Sequence, residues 1–125
     1  NEERSADAFR KTVGRSMGKV RCRKVVNLII ATKHVRRPRT IAEKIIVDID
    51  LSILGQNPRA FNVYERAIRH EYAWVAIDKY RVGRAVVLRH FLSRRYIYST
   101  RFFRIRYERR ARANLRRSIR KLSAG

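Results

Sequence analysis

The sequence predicts an all-α protein, on three observations. Apolar residues recur at three- and four-residue spacing along most of the chain, helix-capping signals stand before the periodic stretches, and strand alternation is not sustained anywhere. With 125 residues and 45% apolar content, the chain is expected to form one domain, 1–125, with a modest core. It has no Gly/Ser linker, internal repeat or low-complexity tract.

The elements follow in order. A first helix runs from Glu2 to about Arg15, with Glu2, Glu3 and Asp7 near its positive end. Gly14 and Gly18 loosen the chain before a second helix from about Lys19 to His34, which carries Cys22, Val25, Val26, Ile29 and Ile30 on one stripe. Pro38 closes it. Thr40, with Glu43 three residues on, forms a capping box for a third helix bearing Ile41, Ile45, Ile46, Ile49, Ile53 and Leu54, which stops at Gly55. Asn57-Pro58 opens a fourth, with Phe61, Tyr64, Ile68, Tyr72 and Val75 as its apolar positions. Around Asp78 the chain turns into a fifth helix through Val82, Ala85, Val86, Leu88, Phe91 and Leu92. An extended link, Tyr96-Ile97-Tyr98-Ser99, leads to Thr100, the cap of a basic last helix over about 100–122. On that helix Phe103, Tyr107, Ala111, Leu115, Ile119 and Leu122 face the core.

Charge sets the expected partner. Lys and Arg number 32 against 10 acids, a formal charge of +22. Self-repulsion of that size opposes compactness unless a polyanion relieves it, and a phosphate backbone does so by releasing condensed counterions. Arg dominates over Lys, and a guanidinium both chelates phosphate and stacks on bases. The last helix carries ten cations against Glu108 alone, too few anions for a solvated face stitched by ion pairs. The expected RNA-binding residues are Arg94, Arg95, Arg101, Arg104, Arg106, Arg109, Arg110, Arg112, Arg116, Arg117, Arg120 and Lys121, joined by Arg21, Arg23, Lys24, Arg36, Arg37 and Arg39. Aromatic neighbours in Arg95-Tyr96, Tyr98 and Arg101-Phe102 can stack on unpaired bases, whereas Phe103, Tyr107, Phe91 and Tyr64 belong to the core. A single cysteine, Cys22, excludes an internal disulfide and reads as a packed residue. No run approaches the roughly 18 apolar residues that span a bilayer, and the start shows no signal-peptide pattern.

Several segments resemble a known family. Asp48-Ile49-Asp50-Leu51-Ser52-Ile53-Leu54-Gly55, Tyr64, Ala67-Ile68-Arg69 and Glu71-Tyr72 are similar to the small predicted metal-dependent phosphohydrolases of the HD superfamily. The likeness continues through Tyr80, Gly83-Arg84, Val87-Leu88, Phe91-Leu92, Ile97-Tyr98, Thr100, Phe103, Glu108, Ala111-Arg112, Asn114-Leu115 and Leu122. Asn1 to Ala6 and Ala31-Thr32-Lys33-His34 look like its earlier segments. The resemblance implies an HD-domain-like bundle of about six helices that lacks the N-terminal helices of the parent fold. It also implies a metal held by a His, an adjacent His-Asp pair and a later Asp. None of His34, His70 and His90 is followed by Asp. By position Asp50 (or Asp48) matches the last ligand and His34 the histidine after Ala-Thr-Lys. One carboxylate and one distant imidazole cannot hold an ion for phosphoester chemistry. Asp50 and His34 are therefore vestigial candidates, and no metal or cofactor is expected. Asp50 otherwise reads as a partner of a nearby Arg, and His34 as a helix-end cap or anion contact. His70 and His90 read as ordinary surface or half-buried histidines.

The function expected from these residues is that of a structural RNA-binding pseudoenzyme in a ribonucleoprotein. Its partners would be ribosomal RNA, through phosphates, and neighbouring proteins that cover the apolar groove left by the missing helices. No small-molecule substrate is expected. The expected location is the mitochondrial ribosome, by analogy with enzymes recruited there, and otherwise the cytoplasm. The alternative is a divergent HD-type phosphohydrolase acting on a nucleotide, with its His-Asp motif outside this chain. Gly-rich phosphate loops, Cys/His clusters and Ser/His/Asp arrangements are absent from the sequence, and Glu65 and Glu71 are explained by nearby arginines. A DNA-reading role ranks last, for want of a helix-turn-helix signature.

Overall fold

The computed structural model describes residues 38–124, and the expected helices over 2–15 and 19–34 lie outside them. The fold is all-α, with no strand among the described residues. Helix α1 spans Ile41–Asp50 and is followed by a 3-10 turn, Ser52–Gly55. Helix α2 spans Pro58–Glu71 and α3 spans Ile77–Ser93. The last helix, α4, runs without a break over 101–124: α over Arg101–Phe103, π over Arg104–Glu108, and α over Arg109–Ala124.

The starts of these helices are set by local chemistry. Thr40 Oγ1 accepts from the Glu43 backbone N–H at 3.1 Å, while Glu43 accepts from the Thr40 and Arg39 amides, a reciprocal capping box. Asn57 Oδ1 accepts from the Ala60 N–H at 2.9 Å, with Pro58 filling the first helical position, where no amide hydrogen is needed. Thr100 accepts from the Phe103 N–H. Three boundaries differ from expectation. Helix α1 ends at Asp50, and Ile53 and Leu54 belong to the separate 3-10 turn rather than to the helix. Helix α2 stops at Glu71, and Tyr72 to Val75 form a turn in which Arg69 donates to the Val75 carbonyl at 2.9 Å. Helix α3 accordingly begins at Ile77, with Asp78 inside its first turn.

The core lies between α3, α4 and the 3-10 turn. Phe61, Leu88, Tyr98, Ala111 and Leu115 are completely buried there, with Val47, Leu51, Leu54, Val87, Phe91 and Ile97 around them. Phe103 and Ile68 are half-buried, less than their helical positions suggest. Across α2 and α3, Arg84 is buried and forms a bidentate pair with Glu65, donating from Nε at 3.1 Å and from Nη2. A desolvated guanidinium is tolerated only with such a partner.

The core-facing residues Phe103, Tyr107, Ala111 and Leu115 recur every four residues. On a regular α-helix that spacing drifts about 40° per step. The π segment, whose bonds reach from i to i+5, winds more slowly and absorbs part of the drift.

The 3-10 turn approaches this segment closely. A Cβ on Gly55 would stand 2.6 Å from Tyr107 Cβ, 2.9 Å from Tyr98 Oη and 3.0 Å from the Tyr107 carbonyl oxygen. Gly55→Ala is therefore expected to cost about 1–3 kcal/mol through overpacking, measurable by urea unfolding. An unchanged midpoint would show that the turn can retreat.

The isoleucines of α1 depart from the expected core. Ile41, Ile45, Ile46 and Ile49 are between 41% and 75% exposed, and only Val47 and Asp48 of that helix are buried. Among the described residues, no element covers that face. Val82 of α3 is likewise exposed.

Candidate nucleic-acid interface

The geometry of the basic surface depends on the link between α3 and α4, because 94–100 has no regular hydrogen-bond partner of its own. Buried backbone groups must be satisfied somewhere, and four side chains do so here. Glu108 accepts from the amides of Ile97, at 2.9 and 3.1 Å, and Tyr98, at 3.2 Å. Asp48, fully buried, accepts from the Ser99 amide at 2.7 Å, the Thr100 amide at 2.8 Å and the Thr100 hydroxyl at 2.7 Å. Arg104 donates to the carbonyls of Tyr98 and Ser99. Arg112 donates to those of Leu92, Arg94 and Arg95 while pairing with Glu108 at 2.9 Å. The Leu92 and Arg94 carbonyls belong to the C-terminal end of α3, where helix oxygens lack intrahelical partners, and that of Arg95 follows in the link.

Tyr98 sits at the centre of this arrangement. Its hydroxyl donates to the Leu51 carbonyl at 2.9 Å. Burial, followed by the nearby Glu108 and Asp48 carboxylates, pushes its phenol well above the ordinary tyrosine range. Expected from sequence to be available for stacking, Tyr98 is inaccessible, because the link folds inward at this residue.

The basic residues divide into two sets. Arg104 and Arg112 have their guanidinium groups engaged with the link, and Arg117 donates to Asn114 Oδ1 at 2.6 Å. Arg94 lies 5.0 Å from the Phe91 ring centroid. The others on α4, Arg101, Arg106, Arg109, Arg110, Arg116, Arg120 and Lys121, are exposed, as are Arg95 and Arg39. Arg109, Arg116 and Arg120 share one helix face and extend over roughly 16 Å at the α-helical rise. Arg110 and Lys121 run beside them. Arg21, Arg23, Lys24, Arg36 and Arg37 lie outside the described residues.

Among the described residues, four carboxylates are engaged within the fold. Glu108 is turned toward the link, Asp48 is buried, Glu65 pairs with Arg84, and Glu43 caps α1. The exposed Asp50, Glu71 and Asp78 are on α1, α2 and α3. Two aromatics remain open beside the arginines. Tyr96 is 45% and Phe102 56% exposed, with the Arg104 guanidinium 4.0 Å from the Tyr96 centroid and Arg106 4.3 Å from that of Phe102.

Asp50 is exposed on α1, the buried Asp48 is a capping group, and His34 lies outside the described residues. Among the described residues, no group of three or more His, Cys, Asp or Glu could hold a metal ion, and no helix is long and apolar enough to cross a membrane.

Sequence reasoning did not find the service of Asp48, Arg104 and Arg112 to the link. One signal was available, because Arg112 follows Glu108 at i+4, the spacing of a helical ion pair. The chain matches no family model, no curated protein and no solved structure.

Proposed function

We propose that this chain is a structural RNA-binding protein of a ribonucleoprotein, with its last helix laid against RNA phosphates. The observation that carries the reading is the outer face of α4: Arg109, Arg110, Arg116, Arg120 and Lys121 are exposed together, and the one carboxylate of that helix is turned inward. The like charges of such a face repel one another, and a dense polyanion relieves that repulsion with release of its condensed counterions. Contacts of this kind position a protein without reading sequence, which suits the interior of a large RNA assembly. Within this proposal the assembly is a ribosome, the mitochondrial one first, and the domain is a degenerate HD-like bundle. Several residues that carry the resemblance serve the fold of this chain: Asp48, Gly55, Arg84, Glu108, Arg112 and Asn114 cap, pack or pair within it.

The test is the salt dependence of binding to a structured ribosomal RNA fragment. Each neutralised phosphate contributes about 0.7–0.9 to the slope of log affinity against log salt. Replacing Arg109, Arg110, Arg116 and Arg120 by Gln should lower that slope by about 3 and weaken binding to unrelated RNAs alike. An unchanged slope would remove α4 from the interface. A change confined to the preference among RNA sequences would make these arginines base readers. Copurification with ribosomal RNA from a mitochondrial fraction tests the choice of assembly.

A further inference from the structure

We propose that Tyr96 and Phe102 are stacking platforms for unpaired bases, so that the RNA segment at this end of α4 is single-stranded or looped rather than paired. The proposal rests on the RNA reading above and adds the class of RNA. Both rings are partly open to solvent; Tyr96 has the Arg104 guanidinium at 4.0 Å and that of Arg95 at 5.5 Å, and Phe102 has that of Arg106 at 4.3 Å. Both are also held in place. Arg104 is fixed by the carbonyls of Tyr98, at 2.8 Å, and Ser99, at 3.2 Å, and the amides on either side of Tyr98 are bound to Glu108 and Asp48. Phe102 packs edge-on against Phe103, with centroids 5.4 Å apart. Platforms fixed before binding lose little entropy when a base arrives.

Ile105, 73% exposed, extends the apolar surface beyond Phe102. An exposed apolar surface of this kind calls for a flat or apolar partner. The exposed Arg101 and Arg106 beside it on the helix, with no exposed carboxylate on α4, favour one that also carries negative charge. A paired duplex keeps its base faces inside the stack, whereas unpaired bases offer theirs to aromatic and guanidinium planes. An unpaired nucleotide supplies both the ring and the phosphate.

The experiment compares the full chain with the Tyr96→Ala/Phe102→Ala double variant on two probes of equal phosphate count, a single-stranded oligoribonucleotide and a perfectly paired duplex. Stacking is worth about 1–3 kcal/mol per base. The double variant should therefore lose at least about tenfold in affinity for the single strand and change less than about twofold on the duplex. Phe102→Leu, which keeps apolar bulk without a flat ring, should also weaken single-strand binding, and Tyr96→Phe should restore it. These conservative variants keep the test valid should the double alanine variant fold poorly. Equal losses on both probes, or none on either, would overturn the proposal. With the salt slope still lowered by the arginine replacements, that result would leave the phosphate reading standing and would assign the aromatic patch to a protein neighbour. Wild-type protein that binds neither probe would overturn both readings together.

Discussion

Replacing Asp48 by Ala is expected to lower stability by about 3–5 kcal/mol. The carboxylate is completely buried, and three donors converge on it: the amides of Ser99 and Thr100 and the Thr100 hydroxyl. A hydrogen bond to an ionised group contributes about 1.5–3 kcal/mol, and a donor left without its acceptor incurs a desolvation penalty as well. The damage extends to α4, because Thr100 Oγ1, which donates to Asp48, is also the acceptor that caps the helix at Phe103. Asp48→Asn, which keeps one acceptor oxygen, should cost less than Asp48→Ala. Chemical unfolding of the two variants checks the order. A loss below about 1 kcal/mol for Asp48→Ala would mean that water replaces the carboxylate and that the link does not depend on it.

The second large effect separates two arginines four residues apart on the same helix. Arg112→Gln is expected to cost about 2–4 kcal/mol, because its guanidinium joins three carbonyls at the end of α3 to Glu108 on α4. Its partial exposure keeps the figure below that of a fully desolvated pair. Arg116→Gln should change stability by no more than about 0.5 kcal/mol, since its side chain is exposed. In RNA binding the order reverses: Arg116→Gln lowers the salt slope, whereas Arg112→Gln acts only through loss of folded protein. If the two variants proved equally stable, the division of α4 into fold-holding and ligand-facing arginines would fail.

What the sequence made legible was local. The Thr40–Glu43 capping box, the Asn57-Pro58 start and the Thr100 cap each involve residues three positions apart, and each stands where expected. The apolar face of α4 was also readable from spacing. What escaped depends on residues distant in sequence. Asp48 is buried because Ser99 and Thr100 come to it from more than fifty positions away, and nothing in its own segment distinguishes it from the exposed Asp50. Periodicity assigned α1 an apolar face through Ile41, Ile45 and Ile49, but periodicity cannot say what packs on it. The arginines of α4 look alike as letters. Whether one of them meets a carbonyl or solvent is decided by where the preceding link runs, and that emerges only from the fold.

The π segment at Arg104–Glu108 acts as a one-residue phase shifter. It amounts to one extra residue let into an α-helix, and each residue of an α-helix turns about 100°. The stacking rings lie on its N-terminal side and the long row of cations on its C-terminal side. Their mutual orientation is thus keyed to how this one turn winds. Rewinding the same five residues as regular α-helix would leave every arginine in place in the chain, yet would swing the cations roughly a quarter turn away from the bases that the rings would hold.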